Sequence, residues 1–133
     1  MLLHPFAIHF PLALWLTSTF FDLMAWRQGG DPVYRRAAYW LVGLGLLGAL
    51  FSIASGWIDL LDQERQGVGP GLLLRHRHHS GVAYAATAAY AVNFWWRYRS
   101  QNRLAGTLLL LSLVGAILIA IAGYLGGGLR TVM

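Results

Sequence analysis

Residues 104–129, LAGTLLLLSLVGAILIAIAGYLGGGL, run for twenty-six positions without a charged side chain. A helix needs about 20 consecutive, mostly apolar residues to cross the hydrocarbon core of a bilayer, and this stretch exceeds that length. Three further windows towards the N-terminus have the same character: 80–96 and 37–58 carry no charge, and 5–26 carries only Asp22. The expectation is an all-α, four-helix transmembrane bundle with up-down connections. It comprises one domain over residues 1–133, with spans of about 5–26, 37–60, 79–96 and 104–126.

The composition points the same way. Hydrophobic residues make up 57% of the 133 and charged residues 11%, and the mean hydropathy is +0.53. Those values exclude a disordered chain. With no cysteine, disulfides, Cys-ligated zinc, iron-sulfur clusters and thiol nucleophiles are all excluded. The pI of about 10.2 comes from ten arginines placed between or beside the apolar windows. That distribution reflects membrane topology and argues against a nucleic-acid partner. No basic segment precedes the first apolar run and no small-x-small site follows it, so the first helix is expected to be retained rather than cleaved.

Local signals divide the windows. Pro5 suits a first helical turn. Pro11 removes a backbone hydrogen bond one turn later, so the stretch around His9 is expected to be kinked or unwound. Gln28 to Pro32 is loop chemistry, Asp62 to Pro70 is the longest connection, and Leu72 to His79 leads along the interface into the third span. Gly126, Gly127 and Gly128 terminate the fourth. Small residues at Gly48, Ser52 and Gly56, at Gly81, Ala85 and Ala89, and at Ser112, Ala116 and Ala120 are expected to face neighbouring helices.

Orientation follows from the arginines. Loops one-two and three-four carry Arg27, Arg35, Arg36, Arg97, Arg99 and Arg103 against Asp31 alone. The opposite side carries Arg65, Arg75, Arg77 and Arg130 together with Asp59, Asp62 and Glu64. The excess marks the first side as cytoplasmic. Both termini are then expected on the outer side, the periplasm of a bacterial inner membrane.

All five histidines fall on that outer side: His4 and His9 on the first span, and His76, His78 and His79 at the head of the third. Histidine within or beside a membrane segment points to function. His78 reads as a headgroup-contacting residue. Five residues separate His4 from His9, about 140° around an ideal helix, so the two do not converge on one small metal ion. One His from each of two helices, by contrast, is the arrangement that holds a haem iron in a bundle. The expected cofactor is haem b, with His9 and His79 as metal ligands and His4 with His76 as a possible second pair. Arg75 and Arg77 would neutralise propionates, and Gly56, Gly81 and Gly123 would clear room. Asp22 is expected to pair with an arginine of the adjacent loops. Asp59 either orients an imidazole or simply meets water at a helix end.

The opening His4-Pro5-Phe6-Ala7-Ile8-His9-Phe10-Pro11-Leu12-Ala13-Leu14 resembles the HPxxxHFPxAL motif of the bacterial membrane family catalogued as domain of unknown function 2231. The likeness continues through Phe21-Asp22, Ser55-Gly56-Trp57-Ile58-Asp59, the His at the head of the third helix, and Gly123-Tyr124-Leu125-Gly126-Gly127-Gly128-Leu129. Many relatives continue past the last glycines into a short polar, His-containing tail, where this chain has Arg130-Thr131-Val132-Met133. The resemblance implies a four-helix membrane module and no established activity. Relatives joined to c-type cytochrome or Rieske-type domains associate it with redox membranes.

Two functions follow as expectations. One is a b-type haem protein or redox-chain subunit carrying electrons at the outer side of the membrane, with other membrane redox proteins as partners. The other is a cofactor-free structural or assembly subunit of a larger membrane complex. Either makes the chain an electron-transfer or accessory subunit rather than an enzyme, in contact with the lipid bilayer. A His/Asp-based ion carrier is disfavoured, because no paired broken helices accompany Pro11.

Overall fold

A computed structural model describes residues 3–103 and 105–130, with the side chain of Arg130 outside the description. Leu104, where the fourth expected span begins, and Thr131, Val132 and Met133 lie outside the described residues. The chain forms α1 (Leu3–Ala7), α2 (His9–Arg27), α3 (Pro32–Arg65), α4 (Pro70–Arg99) and α5 (Gly106–Arg130). The short α1 and α2 form one span interrupted at Ile8. Pro11 lacks the N–H that would bond the carbonyl of Ala7, and the regular helix gives way one turn earlier, at Ile8. Ile8 itself keeps helical backbone, with φ of −66° and ψ of −21°, and α1 packs on α3.

Caps and turns separate the helices. Asp31 caps α3 by accepting from the Val33 amide at 2.8 Å, with Pro32 behind it in the first turn. The α2–α3 loop passes through left-handed Gly29 and Gly30, and Pro70 opens α4. Both outer helical extensions exceed the expected spans: α3 covers more than 37–60, and Leu72 to His79 belong to an uninterrupted α4.

The four long helices α2–α5, with α1 continuing α2, form an up-down bundle. Packing is closest within the hairpins α2–α3 and α4–α5. Contacts between hairpins run along α2–α5 and α3–α4, which leaves α2 diagonal to α4. Around a central Trp15, Val42 and Tyr90 the interior is rich in small and polar residues: Ala25, Ala38, Ala49, Ala86, Ala122, Ser18, Ser52 and Ser112 are buried. Leu44, Leu47, Leu50, Phe51, Leu110 and Ile117 instead face outward. Such an inversion suits lipid, where helices associate through close backbone approach rather than by withdrawing apolar side chains from water.

Three segments, Leu3–Arg27, Pro32–Arg65 and Gly106–Leu129, are long and apolar enough to cross a membrane. The 30-residue α4 matches them in length but not in apolarity. Its inward face holds buried His76, His79, Asn93 and Arg97, and its ends carry exposed Arg75, Arg77, His78 and Arg99.

Candidate functional site

The diagonal between α1/α2 and α4 is bridged by side chains on three levels. At one end, Arg97 donates to Asp22 in an ion pair whose side chains are both fully buried. Ser112 donates to Asp22 Oδ2 at 2.6 Å, and Asn93 links Ser112 to Arg97 with bonds of 2.7 and 2.6 Å. In the middle, Trp15 stacks on Tyr90 with centroids 4.3 Å apart. Trp15 Nε1 donates to the Val42 carbonyl, and Tyr90 bonds to Thr19 and to the Trp15 carbonyl. At the other end, His4 faces His79 edge-on at 6.1 Å, and His76 stands 6.4 Å from His79.

These levels follow a repeat. His4, Trp15 and Asp22 have the same spacing, eleven and then seven residues, as His79, Tyr90 and Arg97. Gly45 and Gly56 on α3 are spaced like Gly115 and Gly126 on α5. Eleven residues is close to three full turns, so each set lies on one face of its helix. The glycines receive the rings. A Cβ on Gly45 would stand 2.2 Å from Trp15 Nε1, and one on Gly115 2.8 Å from Tyr90. At the histidine end, Gly56 would meet His4 at 3.0 Å and Gly126 would meet His79 at 2.9 Å. Even the imidazole bonds correspond. His4 Nδ1 lies 3.0 Å from the Ser52 carbonyl and His79 Nδ1 lies 2.9 Å from the Ala122 carbonyl, each one turn before the glycine that receives its ring. The bundle is therefore two equivalent hairpins facing one another across a common axis.

The open end has chemical capacity. A carbonyl can only accept, so Nδ1 of both His4 and His79 carries the proton, leaving the neutral ring's lone pair on Nε2. A cavity of about 580 Å³ lies beside the rings, with His4, His9, His76 and His79 among its walls and Asp59 and Asp62 also lining it. It adjoins a smaller apolar hollow of about 80 Å³ that reaches down to Trp15. His76 lies one turn before the expected third span. Burial is the main cause that pushes its pKa down, His4 adds to the shift, and Asp59 opposes it.

The histidines are distributed differently from the sequence reading. His4, not His9, sits opposite His79. Five helical residues cannot place both rings inward, and it is His4 whose ring packs against Gly56 of α3. His9 is exposed on the cavity wall, with Nδ1 donating to the Pro5 carbonyl at 2.5 Å. His78, Arg75 and Arg77 are exposed, and neither arginine lines the cavity. Gly81 is exposed and a Cβ there would touch nothing within 4 Å, so Gly56 and Gly126 make the room assigned to it, while Gly123 does border both cavities. The small stripe on α4 fails with it: Gly81 and Ala85 face outward, because the inward face is claimed by His79, Ala86, Tyr90, Asn93 and Arg97. Main-chain carbonyls, not Asp59, anchor His4 and His79. Asp22 does pair with an arginine, and that arginine is Arg97. Among the described residues, no group of three or more His, Asp or Glu side chains is arranged to hold a metal ion.

The family of predicted membrane proteins known as DUF2231 matches residues 2–133. The chain belongs to that family. Its opening motif now has a structural meaning: His4 supplies one imidazole of the facing pair, and Pro11 packs at Gly48 of α3. No curated protein and no solved structure matches the chain. Tyr90, Asn93 and Asn102 were missed by sequence reasoning, and Ser112, expected to face a neighbouring helix, is buried there but reads only as a packing residue in the sequence. The available signal was the repeated spacing, hidden because Trp answers to Tyr, Ser18 to Asn93 and Asp to Arg.

Proposed function

We propose that this DUF2231 protein is a bacterial inner-membrane b-type haem protein or redox-chain subunit, with His4 and His79 as the axial pair. One observation carries the reading: equivalent positions of the two hairpins present two imidazoles to each other, each with Nδ1 tied to a carbonyl and a lone pair on Nε2. A ligating histidine commonly donates its other N–H in this way. The donor set thus fits the two axial positions of a haem iron. Bound there, a haem would supply one-electron transfer with neighbouring membrane redox proteins. In this reading α4 crosses the membrane with its polar face inward. The arginine excess supports placing both termini and the histidine end on the periplasmic side.

A cofactor-free subunit of a larger complex is the second reading, favoured by the charges beside the cavity. Asp59 and Asp62 line it, whereas Arg75 and Arg77, the expected propionate partners, do not.

An absorption spectrum of the protein purified from haem-replete cells separates the two. The expected result is a Soret band and the sharp reduced bands of six-coordinate low-spin haem, lost in both His4→Ala and His79→Ala and unchanged in His78→Ala. Folded, helical protein without Soret absorption defeats the haem reading and leaves the subunit reading standing.

A further inference from the structure

The end of the bundle away from the histidines carries a second hollow, of about 460 Å³, walled by Arg35, Arg36, Tyr39, Trp40 and Tyr98 with the α4–α5 loop. Arg36 and Trp40, one turn apart on α3, also wall an adjoining hollow beside Val33 and Ala37. The basic residues there are held in place. Arg35 donates through Nη1 to the Asn102 carbonyl at 3.0 Å, and Asn102 Nδ2 donates back to the Arg35 carbonyl at 2.8 Å. Asn102 and its neighbour Gln101 adopt left-handed backbone, with φ of 58° and 53°, to make that reciprocal contact.

The charge of this hollow is not neutralised from within. Among the described residues, the ion pair between Arg97 and Asp22 is the sole one, so Arg35 and Arg36 have no carboxylate within ion-pair distance. Arg35 offers five N–H donors, of which one finds an acceptor here, and its Nε is buried without one. Packing does not require this arrangement. The equivalent positions of the facing hairpin, at the start of α5, are Ala105 and Gly106. The surroundings are aromatic: Trp40 and Tyr98 are 62% and 70% exposed beside the hollow, as in the aromatic belts that sit at lipid headgroup level.

We propose that this hollow binds the phosphodiester of an anionic phospholipid, with Arg35 and Arg36 on the phosphate and Trp40 against the glycerol and upper acyl chain. A basic pocket between helix ends, bounded by aromatic rings on the lipid side, has the chemistry for that headgroup. Guanidinium groups suit it better than ammonium because they present paired donors to phosphate oxygens. This site is independent of any cofactor at the histidine end.

The test uses the full chain, delipidated in a neutral detergent, with its melting temperature followed while phosphatidylglycerol, phosphatidylcholine or inorganic phosphate is added. Phosphatidylglycerol is expected to raise the melting temperature saturably, and phosphatidylcholine and inorganic phosphate to leave it nearly unchanged. Arg36→Gln is expected to weaken the phosphatidylglycerol response at least fivefold in half-saturating concentration, and Arg36→Lys to weaken it less. Arg99→Gln, which alters an exposed cation outside the hollow, should respond as the native protein does. An equal response to phosphatidylcholine, an unaltered response in Arg36→Gln, or the full effect from inorganic phosphate alone would overturn the proposal, the last by making this a free-anion site.

Discussion

The two ends of the bundle use the same backbone device for opposite purposes. At equivalent positions of the two hairpins, one end sets His4 against His79 and the other sets Asp22 against Arg97. The complementary pair is neutral through Asp22 Oδ2, while Oδ1 is buried without a hydrogen-bond partner. Its charges cancel, Ser112 and Asn93 occupy further polar atoms, and the level is sealed from solvent. The identical pair cannot complete itself, since two rings that both hold Nδ1 protons against carbonyls both present acceptor nitrogens. Symmetry between like groups leaves room for a third party, and the cavity lies at that end.

Breaking the closed end should cost the most. Arg97→Leu strands a buried carboxylate, which typically destabilises by about 3–5 kcal/mol. Asp22→Leu combined with Arg97→Leu removes both charges and should be less damaging than the single change. Unfolding of the purified protein in mixed micelles, titrated with a denaturing detergent, reads both. A double variant weaker than the single would mean that the pair's neutralisation is not what holds this level together.

The middle level supplies the next effect. Gly45→Ala drives a methyl into Trp15, 2.2 Å from Nε1, and should destabilise by about 1–3 kcal/mol as other overpacked cores do. Gly81→Ala, with open space around it, should be neutral in the same assay. Equal behaviour of the two variants would contradict the seating of the ring on α3.

At the open end the losses should be smaller and pH-dependent. His4→Ala removes a bond to the Ser52 carbonyl, a loss of about 1 kcal/mol. His76 contributes through its proton: burial holds it below its ordinary 6.5, so between the two values the unfolded chain binds the proton that the folded chain refuses. This contribution is therefore fully present above pH 6.5 and is lost as the pH falls towards the folded pKa. Native protein should lose stability on acidification through that window, and His76→Gln should lose less. A native protein that gains stability there would place His76 in contact with a stronger negative charge than Asp59 supplies.

Much of the architecture was legible from one dimension. Four charge-poor windows of bilayer length, Pro11 inside the first, and arginines confined to their margins were enough for the helices, their number and the break near His9. The gathering of His4, His76 and His79 at one end was legible too, because up-down connection returns alternate helix starts to the same side. Rotation about each helix axis was not. Hydropathy ordinarily reports which face is inward, but in lipid the outward face is as apolar as any, and here the interior mixes alanine and serine with Trp15, Tyr90 and the charged pair of Asp22 and Arg97. Gly81 and Gly126 are indistinguishable as letters, yet one faces outward and the other receives His79.

By itself, the sequence determined a membrane bundle with a histidine end and an arginine end, because hydrophobic length and charge are properties of segments. Only the tertiary structure decided that His4 rather than His9 meets His79, and that Asp22 and Arg97 are counterparts of those same rings. Those choices depend on which side chains fit which gaps, and a gap exists only where a second helix stands with a glycine at the right height.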